Sequence, residues 1–464
     1  MAEVPHSDTH ILIFPFPAQG HILPLLDLTH QLSLHSFTIT ILITPKNLTI
    51  LQPLLTQNPS IQTLILPFPS HPSIPEGAEN VKDIGNHGNS MIISALTQLS
   101  DPITHWFDSH PSPPTVMISD FFLGWTEGLA TQLGIHRVAF YGCGAFLVSV
   151  LNHLWLNHPK SQESFEFNDF PNSPVFPWAH LPSVFRRYNE LDPDYKPVKD
   201  GMIANISSWG SVFNSFDDVE GPYLEHFKVA VGHKRVWAVG PVSLLNDSSG
   251  PGVKERGGST SDTAVDIFSW LDNCDDGSVV YVCFGSQVLL TYPQMEALAK
   301  GLEESGICFI LVVKSQTYIP EGFEDRVAGR GFVIKGWAPQ LSILSHRAVG
   351  GFLTHCGWNS VLEGIVAGVM LFCWPMEADQ FVNAKLLVED LGVAVRVCEG
   401  AASVPDSSQL ARFLAGSMNE KGIEKIRAME LHEKVLNTVE AGGSSRKDLD
   451  EFVKELLALS QPFC

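Results

Sequence analysis

Residues 337–380, WAPQLSILSHRAVGGFLTHCGWNSVLEGIVAGVMLFCWPMEADQ, alternate strand-like and helix-like patterns within 44 positions. Val349–Thr354 is a short apolar run ending in a β-branched residue, read as a buried strand. It runs into His355-Cys356-Gly357-Trp358-Asn359-Ser360 and then a helical segment over 361–366. Residues 369–374 form a second strand. Strand, glycine turn, helix and strand again make the repeating unit of a parallel sheet, since parallel neighbours need a crossover connection. A strand that feeds a glycine turn and a helix N-terminus also presents N–H groups and the positive end of the helix dipole, which suits a diphosphate. His355, Asn359 and Ser360 add side-chain donors there, and Glu363, one turn further on, can accept both hydroxyls of a ribose. A plainer reading makes Asn359 or Ser360 a helix cap with Glu363 as its partner.

The same rhythm extends in both directions. After the unit come a strand at 393–397, a helix from Ser407 and an amphipathic tail over 421–459; before it lie strands at 279–285, 308–314 and 332–334 and a helix over 293–305. Residues 245–262 (LNDSSGPGVKERGGSTSD) lack an apolar period and read as a linker. Upstream, strands are expected at 10–16, 37–44, 61–67, 115–119 and 137–141, with helices such as 22–34 and 90–107 between them. Residues 158–200 fill with Pro, Asn, Asp and aromatics, as a long functional loop region does. The chain is therefore expected to be α/β, with a doubly wound domain over 1–244, a linker over 245–262 and a second such domain over 263–464. Ligands are expected beyond the carboxyl ends of the strands.

Composition narrows the function. The 464 residues carry 29 Lys plus Arg against 50 Asp plus Glu, a formal charge of −21. Such an excess repels phosphate backbones and anionic lipid, so neither nucleic acid nor a membrane is an expected partner. None of the eight cysteines forms a C-x-x-C pair, and several sit in apolar runs. Reduced thiols in a cytoplasmic protein are expected, with no metal site. Of the three N-x-S/T sites, at Asn47, Asn205 and Asn246, each then reads as a chance match.

Taken together, W-A-P-Q at one end of the quoted segment, H-C-G-W-N-S with Glu363 in its middle and A-D-Q at the other end resemble the signature box of plant family 1 UDP-sugar glycosyltransferases. The resemblance extends from the P-A-Q-G-H segment at 17–21 to the C-terminal helices, and is nearest to enzymes that glycosylate flavonoids and small phenolics. It implies the GT-B architecture: two Rossmann-like domains with parallel sheets facing across a cleft, acceptor in the first and UDP-sugar in the second. It also implies that the last helix packs back on the first domain. By the same resemblance Trp337 stacks on uracil, Ala338 pairs with it through backbone groups, and Gln340 and Glu363 hold the ribose. His355, Asn359, Ser360 and Ser286 hold the diphosphate, and Trp358, Asp379 and Gln380 contact the sugar. Asp379 is also an ordinary helix cap by residue type.

Transfer to a hydroxyl needs a base. His21 lies in the turn after the first strand and Asp120 closes the fourth, so both fall at carboxyl ends of parallel strands. Histidine, with an unperturbed pKa of about 6.5 as a residue type, suits the task when a carboxylate fixes its tautomer. The family's matching residues form such a dyad; the plainer reading has His21 capping a helix and Asp120 merely ending a strand. An α-linked donor attacked once in line gives a β-linked product, with no metal or other cofactor required.

Several positions depart from the family's common pattern. Met370 and Glu377 stand where proline and an aromatic are frequent, and Gly142 supplies no side chain where many relatives carry a hydroxyl or proline near the sugar. Gln380 favours glucose, whereas Gly142 keeps UDP-rhamnose or a UDP-pentose open, as in flavonol 7-O-rhamnosylation. Phe122 and Phe146 are the leading acceptor-wall candidates, with Gly142 and Glu377 nearby. Phe121, Trp125, Trp155, Trp178 and Phe185 are further aromatic candidates. A monomer is expected. A nicotinamide oxidoreductase would need G-x-G-x-x-G after the first strand, which is absent, and a silent binding protein would be expected to lack His21, Asp120 or the donor box.

Overall fold

Strand β1 (His10–Phe14) is buried at all five positions, the mark of a parallel strand covered on both faces. Its one polar side chain, His10, is paired with the Ser112 carbonyl at 2.7 Å and with Thr40 Oγ1 at 2.8 Å. The structure is a computed structural model that describes residues 9–159, 163–245, 263–418 and 422–459. Two parallel sheets organise it, each at the centre of one compact unit.

The first sheet joins β1 to β2 (Thr38–Ile43), β3 (Gln62–Ile65), β4 (Val116–Asp120) and β5 (His136–Tyr141). The short strands β6 (Ser164–Glu166) and β7 (Val175–Pro177) lie outside it, and β8 (Gly210–Phe213) and β9 (Val236–Ala238) complete it. The order β3-β2-β1-β4-β5-β8-β9 reverses direction between β1 and β4, and this switch point opens a crevice at the strands' carboxyl ends. Strands β8 and β9 are not among the strands expected from the sequence. The single helix expected over 90–107 is two, Asn89–Thr97 and Ser100–Ser109.

The second sheet contains β10 (Val279–Cys283), β11 (Cys308–Val313), β12 (Gly331–Lys335), β13 (Val349–Thr354), β14 (Met370–Cys373) and β15 (Ala394–Arg396). Its order, β12-β11-β10-β13-β14-β15, reverses between β10 and β13. Val280, Val282, Leu311, Leu353 and Phe372 build its core together with Leu410 and Leu414. Each fully buried side chain of this kind contributes about 1.5–3 kcal/mol.

The units interleave along the chain. Residues 9–175, 184–245 and 438–459 make the first, and residues 176–183, 263–418 and 422–437 the second. The C-terminal helix Ser444–Ala458 buries Leu449, Phe452, Val453 and Leu456 in the first core, with the Phe452 ring 4.9 Å from Trp237. Of the expected linker only Leu245 is described; residues 246–262, with Asn246, lie outside the described residues, as does Cys464. Asn47 and Asn205 are buried and hydrogen-bonded, so neither side chain is accessible to a glycosylating enzyme. Cys143, Cys356 and Cys373 are buried thiols, while Cys274, Cys283, Cys308 and Cys398 are half-buried; none forms a disulfide. No described helix is long and apolar enough to cross a membrane.

Candidate active site

At the switch point of the first sheet, Pro17 ends the strand exit and the helix Gln19–Ser33 begins with Ala18 at its cap position. His21 falls in the first turn of that helix, and its side chain does not cap it. Instead His21 Nδ1 lies 2.9 Å from Asp120 Oδ2. Asp120, the last residue of β4, is fully buried, and its Oδ1 accepts the Phe122 N–H at 2.8 Å. A carboxylate can only accept, so Nδ1 carries the proton and Nε2 of the neutral ring holds a lone pair. The ring stacks near Phe121, with centroids 5.7 Å apart, and lies 4.7 Å from Phe122 and 5.2 Å from Phe16.

Behind the pair is a buried polar network that sequence reasoning missed. Arg137, 1 % exposed, donates to Ser119 Oγ at 2.8 Å, Asn205 Oδ1 at 2.9 Å, Ser208 Oγ at 2.8 Å and the Asp120 carbonyl at 3.4 Å. Asn205 in turn donates to the Phe121 carbonyl at 2.9 Å. Burial lowers the Arg137 pKa to about 10, so it remains a cation at neutral pH. The network holds both sides of the Asp120 peptide. A lone arginine at a strand start carries no sequence signal for this role, because its partners come from two segments, 119–120 and 205–208, the second about 70 residues further along the chain.

The acceptor candidates divide. Phe122 is half-buried beside His21. Phe146 is 1 % exposed and stacks on Tyr223 with centroids 4.1 Å apart, so its ring faces are occupied by the core rather than offered to a ligand. Phe121, Trp155 and Phe185 are likewise buried, Trp125 is half-buried against Phe14, and Trp178 lies in the segment grouped with the second unit. Helix Ala145–Asn157, which carries Phe146, is held at its start by Glu220, a buried carboxylate accepting the Ala145 and Phe146 N–H groups at 2.8 and 2.9 Å. Burial pushes its pKa up. Gly142 follows β5, and a Cβ there would stand 3.7 Å from the Gly20 carbonyl and 3.9 Å from Pro24, in ordinary contact beside the His21 helix.

In the second unit, the helix Trp358–Ala367 starts directly after β13 with Gly357 at its cap and no side-chain cap. Neither Asn359 nor Ser360 is therefore the cap that the plainer reading made them. Cys356, just before, has φ +66°, a left-handed conformation rare for a residue with a Cβ. Gln340 reaches across to this helix, its Nε2 donating to Glu363 Oε2 at 2.7 Å and Ser360 Oγ at 3.2 Å. Three of the proposed donor residues are thus one hydrogen-bonded cluster. Trp337 is half-buried and Ala338 buried just after β12, with the Ala338 carbonyl accepting the Gln340 N–H at 2.8 Å.

His355 sits between two glycines. A Cβ on Gly285 would come within 2.7 Å of its ring, and one on Gly357 within 2.7 Å of Nε2. Gly285 has φ +71° in the turn after β10 and leads into exposed Ser286, so the ring joins that turn to the Trp358 helix across the switch point. Burial lowers the His355 pKa to about 4, leaving a neutral donor at physiological pH. Diphosphate binding here would rest on neutral N–H and O–H groups, consistent with a chain of net charge −21.

Beyond β14, Ala378 is left-handed at φ +57° and precedes Asp379 at the start of helix Gln380–Lys385. Asp379 makes no capping bond; its Oδ2 accepts from Asn383 Nδ2 at 2.6 Å. Gln380, 5 % exposed, uses Oε1 to accept the Met376 and half-buried Glu377 N–H groups, both at 2.9 Å.

Residues 258–432 match the family described as UDP-glucoronosyl and UDP-glucosyl transferase. The chain is 53 % identical to UDP-glycosyltransferase 89A2 of Arabidopsis thaliana over 452 residues, covering 96 % of this chain and 95 % of that protein. It is 49 % identical to the flavonol 3-O-glucosyltransferase UGT89B1 of the same plant over 469 residues, 98 % and 97 % of the two chains. The crystal structure of Arabidopsis thaliana UGT89C1 complexed with UDP-L-rhamnose superposes with a TM-score of 0.81 at 40 % identity, over 97 % of this chain and 99 % of that one. By these similarities, and with its two parallel sheets, the chain belongs to the plant family 1 UDP-glycosyltransferases and has their GT-B fold.

Proposed function

We propose that this enzyme transfers glucose from UDP-glucose to a hydroxyl of a flavonol or similar small phenolic, with inversion, giving a β-O-glycoside. The observation that carries the reaction is the His21–Asp120 pair. As the acceptor oxygen attacks the anomeric carbon, its proton passes to His21 Nε2 and the bond from that carbon to the diphosphate oxygen breaks. Buried Asp120 stabilises the imidazolium so formed. The leaving UDP gathers negative charge, which the start of the Trp358 helix, neutral His355 and Ser286 offset. Flavonol acceptors are favoured by the 49 % identical relative being a flavonol 3-O-glucosyltransferase and by Phe122 beside His21.

A second reading takes UDP-rhamnose as donor. It is favoured by Gly142, which places no hydroxyl beside the His21 helix, and by the UDP-L-rhamnose complex of the UGT89C1 structure. Assaying UDP-glucose, UDP-rhamnose and UDP-xylose against a panel of flavonols and simple phenols, with product linkage assigned by NMR, decides between them. Higher kcat/KM with UDP-rhamnose would overturn the glucose assignment, and an α-glucoside product would overturn inversion.

A further inference from the structure

We propose that Asn383 is a positioning residue of the donor site, whose single amide holds the turn before the Trp358 helix and the Asp379 carboxylate in a fixed relation. The inference rests on the reading of Asp379 as a sugar contact. Asn383 is 2 % exposed in helix Gln380–Lys385. Its Nδ2 donates to the Cys356 carbonyl at 2.9 Å and to Asp379 Oδ2 at 2.6 Å. An amide nitrogen carries two hydrogens, and each has one of these acceptors.

The two acceptors sit at the two strained points of the site. Cys356 and Ala378, which precedes Asp379, are both left-handed non-glycine residues, conformations that persist only where surrounding bonds impose them. Because the peptide unit is planar, fixing the Cys356 carbonyl also fixes the direction of the Gly357 N–H at the helix start. The second hydrogen sets the rotation of the Asp379 carboxylate. Asn383 thus couples the phosphate end of the site to the sugar end without touching the donor itself.

No side chain of the same size without an N–H₂ can do this. In Asn383→Asp a carboxylate would face a carbonyl and a second carboxylate; Asn383→Ala removes both bonds and leaves the acceptors.

Steady-state kinetics and UDP calorimetry on the full-length enzyme test the proposal. Asn383→Ala and Asn383→Asp should lower kcat/KM for the UDP-sugar about a hundredfold, as displacement of a reacting group by about an ångström does. The acceptor KM should stay within about twofold, with the aspartate variant at least as impaired as the alanine one. In an Asp379→Ala background, Asn383→Ala should cost several-fold less than in the wild type, a non-additivity that a general packing defect does not produce. Full additivity, or a donor kcat/KM unchanged in both single variants, would overturn the proposal. Undiminished transfer by Asp379→Ala would sink the sugar-contact reading separately. The Cys356 arm then stands on UDP alone, whose affinity Asn383→Ala should weaken several-fold, and an unchanged affinity refutes it. Asn383→Ser, which retains one donor, carries the same comparisons if the larger changes prevent folding, with intermediate losses expected and wild-type kinetics overturning the proposal.

Discussion

His21 and Asp120 stand 2.9 Å apart at the carboxyl ends of neighbouring parallel strands, with Asp120 fully buried and its second oxygen engaged by the Phe122 N–H. Both carboxylate oxygens are engaged, so the histidine tautomer is dictated by the protein rather than by solvent. His21→Ala should lower kcat by roughly 10²–10⁴-fold while UDP affinity measured by calorimetry stays near wild type. Asp120→Asn should also be severely impaired, since an amide can present N–H to Nδ1 and stabilise the wrong tautomer. Substantial turnover in His21→Ala would refute the base assignment.

Trp337 tests the donor site from its other end. Stacking of a base on an aromatic ring contributes about 1–3 kcal/mol, so Trp337→Ala should raise the Kd for UDP about tenfold or more. Acceptor KM should move little. UDP binding with wild-type affinity in that variant would remove the stacking role.

Gly142 is the position at which donor preference should be adjustable. A Cβ there meets only ordinary contacts, so Gly142→Ser is expected to fold and to add a hydroxyl beside the His21 helix. The ratio of kcat/KM for UDP-glucose over UDP-rhamnose should rise several-fold. An unchanged ratio, measured on one acceptor, would show that the sugar's far end is read elsewhere.

His355 sets a pH dependence. Its folded pKa of about 4 lies below the usual 6.5 because burial disfavours the imidazolium. The unfolded chain therefore binds the extra proton first as pH falls, and the stability this group contributes is fully present above about pH 6.5 and lost progressively toward pH 4. His355→Gln should flatten this part of the Tm–pH profile relative to wild type. Identical profiles from pH 7 to pH 4 would contradict the shift.

Asp448 gives the opposite sign. Burial in the C-terminal helix, where it accepts the Ala238 N–H at 2.7 Å, raises its pKa from 3.8 to about 6. The folded state holds that proton more tightly, so stability falls as pH rises from about 4 to 6. Asp448→Asn keeps an acceptor for the Ala238 N–H and should stabilise the protein at pH 7–8 by about 1 kcal/mol, with the full shift discounted for partial exposure. The gain should vanish near pH 4, as checked by thermal melts at both pH values.

Much of the site was legible because each local element writes its own pattern. Val349–Thr354 followed by glycine and a helix announces itself through apolar period and turn chemistry, and the residues at its exit are contiguous in the chain. Gln340 and Glu363 could be grouped on residue type and the family pattern alone. Apart from the His21–Asp120 pair, which the family resemblance implied, roles created by distant partners could not be read. Arg137 has the sequence profile of an exposed strand-start cation, yet Ser119, Asn205 and Ser208 surround it in the interior. Phe146 looked like an acceptor wall from its place after β5, but Tyr223, far along the chain, covers its ring. Asn383 lies just past the informative segment and gains meaning only from Cys356.

The amino-acid sequence by itself determined the two α/β halves, the parallel character of their strands and the chemistry at each strand exit, because these follow from local periodicity and turn residues. Only the tertiary structure decided which exits share a switch point, that His21 spends its Nδ1 proton on Asp120, and that Cys356 and Asp379 hang from one amide. Those relations depend on strand order and on hydrogen bonds between segments remote in sequence, and no local pattern encodes either.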